Sequence, residues 1–299
     1  MEGMILKAVH SYFFPPIDQH TESRGLGGFP SAREYWYSHA LSACLLRQHF
    51  LRIELVTDQY GAHVVMNLLK LPYDSVRVLP HSAAGVGGHA WNSIKFLAYL
   101  EQDEAFVHCD TDAYLWNPLP REILDSQVFG QSIEAVGDFK TFYSETLEEI
   151  RKYLPELPAG FSKFQSDFEG NYAINCGLLG GTDLKLLHYY AKTTLLILHH
   201  PKNANGWETL MREGNSDVRE QVCAAVEQLN IIVACAKFHV RPKVVLEIGK
   251  EHLQGPSPTL THLMGPTKND STRLSKYVEL VKREFPQIAG RIETHFGQR

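Results

Sequence analysis

Apolar positions in the first 125 residues alternate between short continuous runs and helically spaced stretches. Residues 4–9, 53–58, 75–79 and 105–109 are strand-length runs. Residues 35–50, 62–69 and 91–100 between them space their apolar side chains as helices do. Ser31-Ala32-Arg33-Glu34 has the capping-box pattern that opens a helix. Such alternation predicts an α/β fold on a parallel sheet, with ligands at the carboxyl ends of its strands.

The later pattern is less regular. It predicts strands near 128–133, 175–179, 231–236 and 244–247, and helices at 144–153, 183–199, 216–229 and 271–285. No repeat, low-complexity tract or long linker interrupts it, so residues 1–299 read as a single domain.

Composition narrows the function classes. The 29 basic and 34 acidic residues give a net charge of −5, which argues against a nucleic-acid binder. Five cysteines, with no C-x-x-C pair, read as reduced thiols of a cytoplasmic protein. The N-terminus lacks a secretory pattern, and the apolar stretch 186–198 is interrupted by His188 and Lys192 and too short to span a bilayer. The last predicted helix mixes Lys276, Lys282 and Arg283 with Glu279 and Glu284, so it is no strongly basic membrane anchor. With 15 histidines in 299 residues, metal chemistry is worth testing.

Two segments carry that chemistry. The apolar run 105–109 leads into Asp110-Thr111-Asp112, two carboxylates that can turn to one divalent cation where the strand breaks. Further on stands His262-Leu263-Met264-Gly265-Pro266-Thr267-Lys268. A neutral imidazole adds a metal ligand, Gly265 lets backbone approach a phosphate, and Lys268 supplies a point charge for it. Taken singly, each also reads as an ordinary surface loop.

In order, Asp110-Thr111-Asp112, Asn175-Cys176-Gly177, Glu220-Gln221 and His262-x-x-Gly265-x-x-Lys268 resemble a GT-A nucleotide-sugar glycosyltransferase. They are similar to the retaining family of glycogenin and the lipopolysaccharide galactosyltransferases. Glu220 stands where that family has Asp, and Asn269-Asp270 where Pro-Trp is common. The resemblance implies a GT-A, Rossmann-like mixed sheet flanked by helices. It divides the domain into a nucleotide-binding half (1–125), a donor-sugar and acceptor half (126–270) and a C-terminal helical segment (271–299). It implies a Mn²⁺ or Mg²⁺ cofactor on Asp110, Asp112 and His262, a UDP-sugar donor, and catalytic groups Gln221, Glu220 and Asn175. Donor contacts fall to Lys268, Gly265, Lys95 and Thr111, with Tyr12, His10 and Asp58 placed by topology near the nucleotide. Donor sugar, acceptor and oligomeric state are not specified.

Two other classes stay open. An apolar strand ending in D-x-D also opens the haloacid-dehalogenase phosphatases, although Tyr114 replaces their Thr or Val and only Gly137-Asp138 imitates their late acidic site. A catalytically silent sugar-nucleotide or glycan-binding module is the other.

Overall fold

In the computed structural model the described residues are 7–14, 27–80, 82, 92–134, 139–164, 172–212, 216–246 and 259–297. The first elements are β1 (Lys7–Tyr12), α1 (Ala32–His49), β2 (Ile53–Thr57), α2 (Gln59–His63), β3 (Ser75–Val78), α3 (Ser93–Leu100) and β4 (Phe106–Cys109). Next come β5 (Ala113–Leu115), α4 (Arg121–Leu124), β6 (Phe129–Glu134), α5 (Phe139–Tyr153), β7 (Ala173–Gly181) and α6 (Leu184–His199). The chain continues through α7 (Ala204–Arg212), α8 (Ser216–Phe238), β8 (Lys243–Val244), β9 (Leu260–His262), α9 (Ser271–Glu284) and α10 (Pro286–Phe296).

Among the described residues seven strands form one sheet in the order β3-β2-β1-β4-β7-β6-β8, and β5 pairs with β9 apart from it. β1, β2 and β3 run parallel, whereas β6 is antiparallel to β7 and parallel to β8. The expected α/β class, a mostly parallel mixed sheet flanked by helices, is what the chain adopts.

The chain divides into two compact units. One comprises Met1–Pro80, His108–Pro118 and Gly255–Arg299; the other comprises His81–Val107 and Leu119–Gln254. In the first, Ser31 caps α1, its hydroxyl accepting from the Arg33 and Glu34 amides at 3.1 and 3.5 Å. The helix then buries Trp36, Tyr37 and Leu41 and packs on β5, α9 and α10. Asp58 caps α2, which continues as a π-helical turn over Val64–Leu69. Close approach of α2 requires Gly61: a Cβ there would lie 2.1 Å from Thr57 Oγ1 and 2.9 Å from the Phe14 ring. The predicted helix 271–285 is α9, and a further helix follows it, because Pro286 has no N–H to continue α9 and instead starts α10.

In the second unit α8 packs against α5, α6, α7 and β7. Residues 231–236, expected as a strand, are the last third of this helix. An apolar run of six carries no period that separates a buried strand from a buried helix. The stretch Val218–Phe238 is long and apolar enough to cross a bilayer, yet 61% of its window is buried inside the protein. Its Asn230 amide donates to Thr193 and Thr194 hydroxyls at 2.8 Å each, which is how a core helix satisfies a polar group. The expected strand 244–247 is only Lys243–Val244, and Glu247 lies outside the described residues, as do Trp91 and the Gly137-Asp138 pair.

Candidate metal centre

β4 stops at Cys109, and a turn closed by Ala113 N–H on the Asp110 carbonyl (3.0 Å) carries the chain into β5. β5 then pairs with β9 so that Ala113 faces His262, and the Leu263 N–H donates to the Asp112 carbonyl at 3.0 Å. This short antiparallel pair brings the two halves of the centre together. His262 Nε2 lies 3.4 Å from Asp112 Oδ1 and 3.9 Å from Asp110 Oδ2. One ligand atom from each of the three residues falls within 4.8 Å of the others. Two carboxylates and one imidazole make a hard, oxygen-rich donor set, which suits Mn²⁺ or Mg²⁺ better than a thiophilic ion.

Helix α1 holds the turn from behind. Ser38 donates to the Thr111 carbonyl at 3.2 Å, and Ser42 donates to the Ala113 carbonyl at 2.6 Å. The Thr111 side chain is itself buried. After β9, Gly265 adopts φ +48° and starts a 3₁₀ turn over Gly265–Asn269 that carries Lys268. No atom lies within 4 Å of a Cβ built on Gly265, so the left-handed backbone there borders open space. Lys268 Nζ is 2.5 Å from Asp112 Oδ2 and donates to the Gly27 carbonyl at 2.8 Å. Burial opposes ionisation of Asp112, but Lys268 and His262 outweigh it and hold the carboxyl well below its ordinary range. The group is therefore a carboxylate at neutral pH.

A family model described as a family of unknown function (DUF6734) matches residues 6–295. The chain belongs to this family. No curated protein matches it.

Membership assigns no activity, so the other expected site residues are read from their contacts. His10 is wholly buried in a hydrogen-bonded series. Its Nε2 meets Ser42 Oγ at 3.0 Å and its Nδ1 meets the Tyr73 hydroxyl at 2.5 Å; that hydroxyl meets His39 Nε2 at 2.7 Å. Because Ser42 donates onward to a carbonyl, His10 donates to Ser42 and accepts from Tyr73, so both ring nitrogens are engaged inside the core. This position corrects the reading of His10 as a donor contact: no edge of the ring is open to a ligand. Asp58 is likewise occupied, accepting from the Gly61 and Phe14 amides at 2.7 and 2.5 Å. Tyr12 ends β1 half-buried, its ring 4.7 Å from that of Phe14 and 4.9 Å from that of Tyr35.

Lys95, Asn175, Glu220 and Gln221 belong to the second unit. Lys95 is buried, pairs with Glu227 at 2.7 Å and donates to the Cys176 carbonyl at 3.2 Å. Asn175 donates to Glu134 at 2.6 Å and accepts from the Gly177 amide at 2.9 Å, which fixes the backbone of β7 at that point. Glu220 and Gln221 are both solvent-exposed on the first turns of α8.

Sequence reasoning passed over a second Glu-Gln pair on the same helix. Glu227 holds both Lys95 and Asn92, and the Tyr143 hydroxyl sits between Gln228 and Glu134, 2.6 Å from the latter. The available signal was its setting, since Glu227-Gln228 sits between Val226 and Leu229, whereas Glu220-Gln221 follows Asp217 and Arg219. His108 on β4 is wholly buried; its Nδ1 lies 3.8 Å from Asp110 Oδ1 while its Nε2 meets Ser11 Oγ at 2.8 Å.

Proposed function

We propose that the chain is a metal-dependent glycosyltransferase. It moves a sugar from a nucleoside diphosphate donor, with a UDP-sugar as the first candidate, to an acceptor with retention at the anomeric carbon. One observation carries this reading: Asp110, Asp112 and His262 converge within 4.8 Å beside a lysine, just beyond the carboxyl end of β4. A divalent cation held by those three residues supplies Lewis-acid stabilisation for the charge that grows on a departing diphosphate. Lys268 adds a point charge at the same place, and Gly265 offers backbone that a phosphate oxygen approaches without meeting a side chain. The depressed Asp112 carboxyl keeps its ligand form at neutral pH. Ser38 and Ser42 hold the turn, so that its carboxylates need little reordering on binding.

In the second unit, Lys95 and Asn175 are already matched to internal partners. Their part in the reading is to set the β7 backbone at Cys176 and Gly177. The Glu220-Gln221 pair stays exposed on α8.

The test is release of UDP from a panel of UDP-sugars in the presence of Mn²⁺, for wild type, Asp110→Asn and Asp112→Asn. Release that EDTA abolishes, and that both folded variants lack, supports the reading. Release of inorganic phosphate from simple esters redirects it to a phosphatase, and UDP-sugar binding without turnover to a silent module. Mn²⁺-independent UDP affinity, equal in all three proteins, refutes the metal assignment.

A further inference from the structure

Lys268 touches more than Asp112. Its ammonium has three hydrogens and meets a carboxylate oxygen at 2.5 Å, the Gly27 carbonyl at 2.8 Å and the face of Phe29, 5.6 Å from the ring centre. Its stem runs along Gly28, where a Cβ would lie 3.5 Å from Lys268 Cδ. Gly27 and Gly28 take φ of +63° and +83°, conformations that favour glycine, and Phe29 is 1% exposed with its ring 6.0 Å from that of Tyr35. The segment Gly27–Phe29 is thus anchored at Phe29 and tied to the centre through one lysine.

We infer that Lys268 is an internal counter-ion that competes with a divalent cation for Asp112 and, through Gly27, latches the segment Gly27–Phe29 to the centre. This rests on the metal reading of Asp110, Asp112 and His262. An ammonium hydrogen-bonded to a carboxylate repels a divalent ion arriving at the same carboxylate. Cation binding therefore draws Lys268 off Asp112 and loosens its bond to Gly27. A phosphate-bearing ligand gives the displaced ammonium a new partner, so cation and anion bind more tightly together than either alone. The lysine neutralises one of the two carboxylates of the metal-free centre and sets a threshold against binding the metal by itself.

The experiment measures Mn²⁺ affinity by titration calorimetry without any phosphate ligand, for wild type, Lys268→Met and Lys268→Arg. Hydrogen–deuterium exchange at residues 27–29 is followed with and without Mn²⁺. Lys268→Met, which keeps the stem and removes the charge, is expected to bind Mn²⁺ about tenfold tighter, equivalent to ~1.4 kcal/mol. Lys268→Arg stays close to wild type. Exchange at 27–29 rises on adding Mn²⁺ to wild type and is already fast, and insensitive to Mn²⁺, in Lys268→Met. If Lys268→Met does not fold, Lys268→Gln carries the same expectation. Mn²⁺ binding of equal or lower affinity in the uncharged variants overturns the latch and leaves the metal site standing. Absence of Mn²⁺ binding in every protein overturns both.

Discussion

Acid sensitivity follows from the buried histidine pair. Burial pushes His10 down to about 3, and His39 also lies well below its ordinary value because of burial and the neighbouring His10. Both are neutral in the folded chain, and their hydrogen-bonded series explains why. A second ring proton on His10 would point a donor at the Tyr73 hydroxyl, which itself donates there. In the unfolded chain His10 titrates near its ordinary value of about 6.5, so below that pH the unfolded state binds more protons than the folded one. Stability therefore falls as pH drops through about 6.5 and levels off only near the folded value. Between pH 7 and pH 5 the loss from His10 alone is about 2 kcal/mol, and His39 adds to it in the same direction. Urea unfolding followed by tryptophan fluorescence reads this directly, because Trp36 stacks on His39 at 5.3 Å. In His10→Gln the slope of stability against pH should fall, so that the gap between wild type and variant shrinks by about 2 kcal/mol from pH 7 to pH 5. An equal gap at both pH values refutes the assignment of the series as neutral and buried.

Two further outcomes test the packing. Glu227→Gln leaves Lys95 buried without its counter-charge and should cost about 3 kcal/mol in urea unfolding, while Lys95→Met combined with Glu227→Leu should recover most of that loss. Gly61→Ala forces a methyl against Thr57 and Phe14 and should cost about 2 kcal/mol in the same measurement, with the disturbance felt at Tyr12, whose carbonyl accepts from Thr57 at 2.6 Å.

Features encoded locally were legible in the sequence. The Ser31 cap and the β4-to-Asp110 transition depend on residues within a few positions of one another. Asp110, Asp112, His262 and Lys268 were also found as a set, because their chemistry is distinctive even though about 150 residues separate them. What the pattern hid were distinctions made by burial. Residues 231–236 are apolar on every side and fit either a strand or a helix until their neighbours are known. Glu220-Gln221 and Glu227-Gln228 look alike as letters, and only packing separates the exposed pair from the one that braces Lys95. His10 directly follows the expected strand 4–9, where a ligand contact was a fair expectation, but it lies inside β1 and Ser42 and Tyr73 claim both of its nitrogens. β5 and β9 are three residues each, too short to register as strands, yet their pairing is what assembles the centre.

That pairing also fixes when the centre can exist. During synthesis Asp110 and Asp112 emerge well before His262 and Lys268, and residues 119–254, most of the second unit, are made in between. The unit that holds the centre is completed only when Gly255–Arg299 follows. A growing chain thus has an opportunity to fold most of the intervening unit first, while its two acidic ligands have no imidazole and no lysine beside them. The convergence of these four side chains needs the chain through Lys268, and any truncation before residue 262 discards it while leaving the D-x-D turn in the sequence.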